Sequence, residues 1–383
     1  MNQQMYKIYP IQVKKAEGIT ITSTEDIEYM DTFSGIGVLL FGHSYPPILC
    51  SMKEKINRYM HLSNFFVDPD AIWVESALLQ AADFEGKVFF TNSGTESTEA
   101  ALRMVKRFET DSKNKIIHFS GGFHGRTMGS LSILGRLDTK KRFGSLLPNT
   151  ICLPWNDPLE FRKTMELHKE SVLAIFLETI QGAGGIQILS EEMADLIAFY
   201  QQKHKVIVIC DEIQSGLGRT GKWFAYQHWN LHPDIVLVGK GIGGGLPLGG
   251  ALFTQQLWQI AVKGDHGSTF APNPISLAGA KAVLEAIPSY LPTISQMENS
   301  IHALIKNELG SYVKDIRLKG FMVGLDPYPL KKDLRDIAFQ HHNLLLNITS
   351  NGTLRLLPPL DLPYDGWVSM IKRIKETLRE CIA

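Results

Sequence analysis

Two residues whose side chains could take part in catalysis stand at the ends of apolar runs. Asp211 follows the run 206–210, and Lys240 follows the run 235–238 after one glycine. A carboxylate at the end of a buried strand needs a cationic partner, such as a protonated ring nitrogen. A desolvated lysine has a depressed pKa and is a good nucleophile. The alternatives are a helix cap or structural ion pair for Asp211 and a solvated turn for Lys240.

A third pattern suits a phosphate group. The sequence Asn-Ser-Gly-Thr-Glu at 92–96 follows a β-rich run and begins a helical pattern, and Ser93 with Glu96 fits a capping box. Backbone N–H groups and hydroxyls at a helix start bind phosphate, here at Ser93, Gly94 and Thr95. An ordinary helix cap explains the same residues without a ligand.

Two arginines are candidate partners for carboxylates. Arg126 lies in Phe-His-Gly-Arg-Thr at 123–127, and Arg355 lies in Thr-Leu-Arg-Leu-Leu-Pro-Pro at 353–359. A guanidinium group binds a carboxylate through two parallel hydrogen bonds, although each arginine could equally be structural. Together, a phosphate cradle, an acid for a ring nitrogen and a lysine able to form a Schiff base are what pyridoxal 5′-phosphate (PLP) needs.

Two nucleotide-binding patterns also occur, and neither predicts a nucleotide site. Residues 216–222 fit the Gly-rich part of a phosphate-binding loop, but Trp223 stands where a Ser or Thr must hold Mg²⁺. Residues 239–244 fit GxGxxG, and Asp265 follows at a distance that suits a ribose contact. The next residues, 245–250, are too rich in Gly and Pro to begin the helix that holds a pyrophosphate.

The elements that position these residues follow from the hydrophobic pattern. Continuous apolar runs such as 172–177 alternate with helical patterns, which is typical of strands covered on both faces. This alternation predicts an α/β protein with a mostly parallel, doubly wound sheet that binds ligands at its carboxyl edge. Both chain ends differ in pattern. We predict an N-terminal arm and part of a small domain at 1–40, a large PLP-binding domain at 41–274 and a C-terminal small α+β domain at 275–383.

The composition argues against several classes of protein. The 39 Lys and Arg balance the 39 Asp and Glu, so bulk charge does not favour nucleic acid or an anionic membrane as a partner. No apolar run approaches the roughly 18 residues of a membrane-spanning helix. The start of the chain lacks the pattern of a secretory signal. Four cysteines without CxxC spacing are typical of reduced thiols, so we expect a cytoplasmic enzyme without a metal site.

Seven stretches resemble, in the same order, the class III (ω-) aminotransferases of PLP fold type I, nearest the acetylornithine aminotransferase subgroup. They lie at 89–96, 123–127, 177–182, 211–221, 239–249, 266–270 and 354–359. Collinear matches over so much of the chain make the resemblance specific. It implies an α/β fold with a smaller α+β domain, PLP as cofactor, and a homodimer with shared active sites.

The resemblance also implies a role for each site residue. Lys240 would form the Schiff base with PLP and then move a proton, while Asp211 would keep the ring nitrogen protonated. Ser93, Gly94 and Thr95 would hold the phosphate, and Thr269 of the partner subunit would add a phosphate contact. Phe123 and Ile213 would pack on the two faces of the ring. Gln214 would hydrogen-bond the phenolic oxygen, and Glu178 would position the loop near the cofactor.

For substrates, the resemblance implies two carboxylate sites. Arg355 would take the α-carboxylate of glutamate. Arg126 would take the distal carboxylate, or the α-carboxylate of a donor that reacts at its ω-amine. One position departs from the family: Ala183 stands where the family usually has a glutamate. In relatives that glutamate can form an ion pair with the Arg355 equivalent, which masks the arginine while an ω-amino substrate is bound. Arg355 then either stays exposed or is neutralised by another group, and specificity could shift towards α-amines.

The resemblance therefore implies a ping-pong aminotransferase of amino-acid metabolism that acts in arginine biosynthesis. It would move an amino group between an N-acylated diamino acid, such as N-acetylornithine, and 2-oxoglutarate or glutamate. Alternatives within the family are ornithine, 4-aminobutyrate or diaminobutyrate as donor. Alternatives outside it are a dinucleotide-binding oxidoreductase and a catalytically inactive protein of the same fold.

Overall fold

The computed structural model describes residues 5–229 and 231–382. Within that part of the chain the strands are β1 (Val13–Glu17), β2 (Thr20–Ser23), β3 (Glu28–Asp31), β4 (Gly86–Thr91), β5 (Lys115–Phe119), β6 (Thr150–Leu153), β7 (Val172–Leu177), β8 (Ile180–Gln181), β9 (Gln187–Ile188), β10 (Ile207–Asp211), β11 (Ile235–Val238), β12 (Gly249–Thr254), β13 (Val313–Lys319), β14 (Met322–Pro327), β15 (Leu344–Leu345), β16 (Asn347–Ile348) and β17 (Leu354–Leu356). The α-helices are α1 (Ser34–Gly37), α2 (Pro46–Ile56), α3 (Pro69–Ala82), α4 (Gly94–Lys106), α5 (Met128–Ser132), α6 (Leu137–Lys140), α7 (Pro158–His168), α8 (Glu191–His204), α9 (Gln255–Trp258), α10 (Pro274–Ala286), α11 (Leu291–Leu309), α12 (Leu334–His342) and α13 (Tyr364–Ile382).

A seven-stranded sheet forms the centre of the fold, in the order β4-β12-β11-β10-β7-β5-β6. Its strands run parallel except β12, which is antiparallel to β11 and β4. The predicted α/β class with a mostly parallel sheet is thereby confirmed. Strand β12 begins inside the Gly-rich stretch at 245–250, for which the sequence pattern predicted neither a helix nor a strand. Its first residue must be glycine because a Cβ at Gly249 would lie 2.6 Å from Thr91 Oγ1.

Apolar layers cover both faces of this sheet, which explains the continuous apolar runs. In β10, Ile207 and Ile209 pack into one buried cluster with α4, while Val208 and Cys210 pack into the other. Because side chains alternate along a strand, such a strand must be apolar at every position. Polar residues are then confined to its end, where Asp211 stands.

The two chain ends share a sheet. β15, from the C-terminal part, pairs with β3 in the four-stranded sheet β1-β2-β3-β15, and a second sheet, β13-β14-β17-β16, carries Arg355 on β17. Helix α13 buries an apolar stripe of Trp367, Met370, Ile371, Ile374 and Leu378. The pairing suits a small domain built from both ends, and its boundaries at residues 40 and 274 remain predictions, with residues 1–4 and 383 outside the described chain.

Helix α10 begins at Pro274, earlier than the stretch at 278–286 that the pattern indicates. Asn273 Oδ1 accepts hydrogen bonds from the N–H groups of Ile275 (2.9 Å) and Ser276 (3.3 Å), and proline suits the first helical position. Of the helices in the described ranges, none has the combination of length and apolar character that crossing a bilayer requires.

Candidate active site

A cavity of about 320 Å³ lies at the carboxyl ends of β4, β10 and β11, a common place for ligands in open α/β sheets. It is lined by Gly94, Thr95, Phe123, His124, Gly125, Arg126, Glu178, Ala183, Asp211, Ile213, Gln214 and Lys240. Of the residues singled out in the sequence, Ser93, Arg355 and Thr269 are not among those that line it. Ser93 caps α4, Arg355 is buried next to Gln214, and Thr269 is exposed on a loop.

Asp211 is the buried carboxylate of the cavity. Its Oδ2 atom lies 2.7 Å from His124 Nδ1, and its Oδ1 atom accepts a hydrogen bond from the N–H of Ile213 at 3.1 Å. The His124 ring in turn packs edge-on against Phe176, with 4.9 Å between ring centroids. His124 was not among the predicted site residues, although it stands within the motif at 123–127. The carboxylate is therefore fixed in position before any ligand arrives.

Lys240 begins a short 3₁₀ turn directly after β11, with a positive φ of 46°. Burial lowers the pKa of its amine to about 8, and the nearby Arg355 charge adds to this, while Asp211 and Glu178 act in the opposite direction. A lowered pKa leaves more of the amine neutral and nucleophilic at neutral pH.

Glu178 holds two loops in place at the cavity wall. Its carboxylate accepts hydrogen bonds from the N–H groups of Phe123 (2.8 Å) and Gly182 (3.1 Å). Burial raises the pKa of Glu178 to about 7, and the charge of Asp211 adds to this, while the His124 charge and these two N–H groups act against the shift. Its contacts are those of a residue that positions loops.

The start of α4 presents backbone N–H groups to the cavity. The Ser93 hydroxyl accepts from the N–H of Glu96 at 3.4 Å, but the Glu96 carboxylate accepts from the N–H of Asn92 at 2.8 Å, so the predicted capping box is only half formed. A Cβ at Gly94 would lie 2.6 Å from Ile213 Cδ1, so a side chain does not fit between the helix and Ile213. The Thr95 hydroxyl accepts from the N–H of Arg126 at 3.2 Å.

The two predicted carboxylate-binding arginines differ in environment. Arg126 is exposed, with its guanidinium carbon 5.7 Å from the centre of the Phe123 ring. Arg355 is buried and donates to two amide oxygens: Nε (3.1 Å) and Nη2 (2.7 Å) to Asn347 Oδ1, and Nη1 (3.0 Å) to Gln214 Oε1. Burial lowers the pKa of Arg355 to about 10. In the described chain no carboxylate lies within ion-pair distance of either arginine.

A sequence model of the aminotransferase class-III family matches residues 1–378 of this chain. The chain is a class III aminotransferase. Class III aminotransferases use PLP, so this one is a PLP-dependent transaminase. The alternative of a dinucleotide-binding oxidoreductase is thereby set aside, and the residues at 239–244 form the turn that carries Lys240.

Curated relatives match this class III aminotransferase over nearly its whole length. The acetylornithine aminotransferase of Aquifex aeolicus is 35% identical over 378 residues, which cover 97% of this chain and 98% of that protein. The acetylornithine aminotransferase of Bacillus subtilis is 33% identical over 381 residues, covering 98% and 97%.

Solved structures confirm the expected fold. An ornithine aminotransferase from Toxoplasma gondii superimposes with a TM-score of 0.90 at 22% identity, covering 99% of this chain and 93% of that one. An N-acetylornithine aminotransferase from Stenotrophomonas maltophilia gives a TM-score of 0.83 at 23% identity, covering 98% of both. At these identities the likeness concerns the fold alone.

Proposed function

We propose that this aminotransferase moves the amino group of an N-acylated diamino acid such as N-acetylornithine to 2-oxoglutarate, by a ping-pong mechanism. The observation that carries the proposal is the near full-length match to several curated acetylornithine aminotransferases at 33–35% identity. The activity of those relatives fits a cavity that contains a lysine, a fixed carboxylate and an arginine, with a second arginine beside it.

The cavity suits PLP because each part of that molecule meets a matching group. Asp211 would face the ring nitrogen, Phe123 and Ile213 would pack against the ring, and Lys240 would bind the aldehyde carbon. The phosphate would lie at the start of α4, beside Ser93, Gly94 and Thr95. When bound, PLP supplies an electron sink for the substrate carbon that bears the amine. Lys240 would take the proton from that carbon and return it to the cofactor side, and Asp211 would stabilise positive charge at the ring nitrogen.

Gln214 would link the cofactor to the substrate. Its Oε1 atom accepts from Arg355, which leaves its Nε2 group free to donate to the phenolic oxygen of PLP. Glu178 would hold the loops of Phe123 and Gly182 rather than act as a base. Its two hydrogen bonds from backbone N–H groups favour this positioning role.

Arg355 would bind the α-carboxylate of glutamate, and Arg126 would bind the distal carboxylate or the α-carboxylate of the N-acylated donor. Two cationic groups at opposite ends of a substrate favour a five-carbon dicarboxylate. Ala183 carries no charge, and among the described residues the side-chain partners of Arg355 are the amide oxygens of Asn347 and Gln214. A neutral amide keeps the guanidinium in place without competing as an anion.

We propose a cytoplasmic homodimer with shared active sites. The exposed aromatic residues Phe65, Phe66 and Phe270 are 95%, 68% and 65% exposed in the single chain, and large exposed apolar side chains mark interfaces. Thr269 is exposed beside Phe270 and away from its own cavity, which suits a contact with the phosphate in the partner's site.

A panel of amine donors with 2-oxoglutarate tests the proposed donor. N-acetylornithine should give the largest kcat/KM, with ornithine, 4-aminobutyrate and 2,4-diaminobutyrate well below it. A larger value for one of the free diamines or for 4-aminobutyrate would replace the proposed donor with that compound. Glutamate formation, measured in each reaction, reports turnover independently of the donor's own product.

A further inference from the structure

The loop that follows Gly182 is held by three side chains from different parts of the fold. Arg136 Nη2 donates to the carbonyl oxygen of Ala183 at 3.2 Å. Asn351 Nδ2 donates to Gly184 O at 3.0 Å, and Arg317 Nε donates to Gly185 O at 2.9 Å. Successive carbonyl groups of one cavity-lining loop are thus each held by a different donor.

Charge distinguishes Arg136 from the other two. Asn351 makes its hydrogen bond without a charge, and the charge of Arg317 is balanced by Asp326, whose two oxygens each lie 2.8 Å from it. Arg136 has no carboxylate within ion-pair distance and no second side-chain hydrogen bond among the residues that the structure describes. Holding the loop does not require this positive charge.

Arg136 holds its positive charge beside the cavity wall and near Arg355. Ala183, whose carbonyl it binds, lines the cavity, and Gly182 packs so closely on Gln214 that a Cβ there would lie 2.1 Å from Gln214 Oε1. That same Oε1 atom accepts from Arg355, so both arginines approach the same short loop, Arg136 by a direct hydrogen bond and Arg355 through Gln214. The Arg136 charge also adds to the effect of burial in lowering the pKa of Arg355. The charge of Glu178 acts on Arg355 in the opposite direction, but in the described chain no carboxylate lies within ion-pair distance of either arginine, and the two like charges repel each other until an anion binds.

We propose that Arg136 is a specificity-determining residue that joins Arg355 in binding the carboxylate next to the reacting carbon of glutamate and 2-oxoglutarate. The inference rests on the proposed function of Arg355. The small Ala183 side chain leaves this position to the substrate, since no carboxylate among the residues that the structure describes lies within ion-pair distance of either arginine. A donor that reacts at an ω-amine has no carboxylate there and gains nothing from Arg136.

The test compares Arg136→Gln with Asn351→Ala in the fully loaded enzyme. Glutamine can still donate to Ala183 O, so the first variant removes the charge but keeps a hydrogen-bond donor, whereas the second loosens the same loop without changing charge. Arg136→Gln should raise KM for glutamate and for 2-oxoglutarate about tenfold, the effect of losing one charged hydrogen bond, with little change in kcat. Asn351→Ala should not single out these two substrates, and Arg136→Lys should recover part of the loss.

Two outcomes would overturn the inference: an unchanged KM for glutamate in Arg136→Gln, or an equal loss for glutamate and for N-acetylornithine. Inhibition by glutarate, a dicarboxylate that cannot react, gives a second readout and should weaken in parallel with the KM for glutamate. If the wild-type enzyme does not react with N-acetylornithine, the proposed donor fails, yet glutamate and glutarate still decide the role of Arg136.

Discussion

Two halves of the candidate site balance their charges in different ways: the cofactor half, around Asp211 in the cavity, and the arginine half, Arg355 and Arg136, which lie beside the cavity without lining it. In the cofactor half, Asp211 lies 2.7 Å from His124, and Glu178 accepts two backbone N–H groups. In the arginine half, Arg355 donates to amide oxygens and Arg136 to one carbonyl oxygen, and in the described chain no carboxylate lies within ion-pair distance of either. Because an unpaired buried cation is costly, we propose that a substrate carboxylate completes the arginine half. In this proposal the cofactor half is ordered in advance, whereas the arginine half selects the substrate.

The largest effect should come from Lys240→Ala. Loss of the lysine that lines the cavity should lower turnover about 10³-fold or more, because nucleophile and proton carrier disappear together. The visible absorbance of the bound cofactor should also change. Steady-state rates with glutamate and 2-oxoglutarate check this, and turnover near the wild-type level would contradict the role of Lys240.

Asp211→Asn tests the cofactor half further and should lower kcat by about 10²- to 10³-fold, as loss of a preorganised charge does. The matched control is Glu212→Gln, the next residue along the chain. Its carboxylate accepts from the N–H groups of Ala225 (2.9 Å) and Tyr226 (2.8 Å) and does not line the cavity. The control should lower the free energy of unfolding by about 1–3 kcal/mol and leave kcat nearly unchanged. Equal losses of kcat in both variants would remove the distinction.

Arg355→Gln tests the arginine half. It should lower kcat/KM for glutamate about 10- to 100-fold, the usual effect of removing a charged hydrogen bond. Arg142→Gln, at an exposed position, is the control and should behave as the wild type. Kinetics unchanged by Arg355→Gln would show that the substrate carboxylate binds elsewhere.

The smallest effect concerns pH and couples the two halves. The neutral amine of Lys240 is the reactive form, so the rate at which apoprotein takes up PLP should rise with pH and level off above about 8, rather than near the ordinary lysine value of 10.5. The Arg355 charge lowers the pKa of Lys240, so Arg355→Gln should move the midpoint to higher pH. A midpoint that does not move would show that the two groups do not interact.

The fold and the cofactor half could be predicted because their signals are local. Apolar runs in the sequence mark strands β7, β10 and β11. A charged residue at the end of such a run marks a candidate site, because a charge is costly to bury. Asp211 and Lys240 follow neighbouring strands, and both line one cavity. Strand β12 gave no such signal, because its glycines are required by close packing against β4 rather than by any periodicity.

The partners of these residues could not be predicted, because they come from distant parts of the chain. Asn347 meets Arg355 through the antiparallel register of β16 and β17, which no pattern in the sequence fixes. Arg136 reaches Ala183 across separate loops. His124 stands in a recognised motif, yet its partner Asp211 is known only once β10 is placed in the sheet.

The most direct test of the central claim is the visible spectrum of the purified, PLP-loaded enzyme during two additions. Glutamate should remove the absorbance of the aldehyde form, and 2-oxoglutarate should restore it, because the amino group is stored on the cofactor between half-reactions. A spectrum that does not respond to glutamate, in an enzyme that contains PLP, would contradict the account.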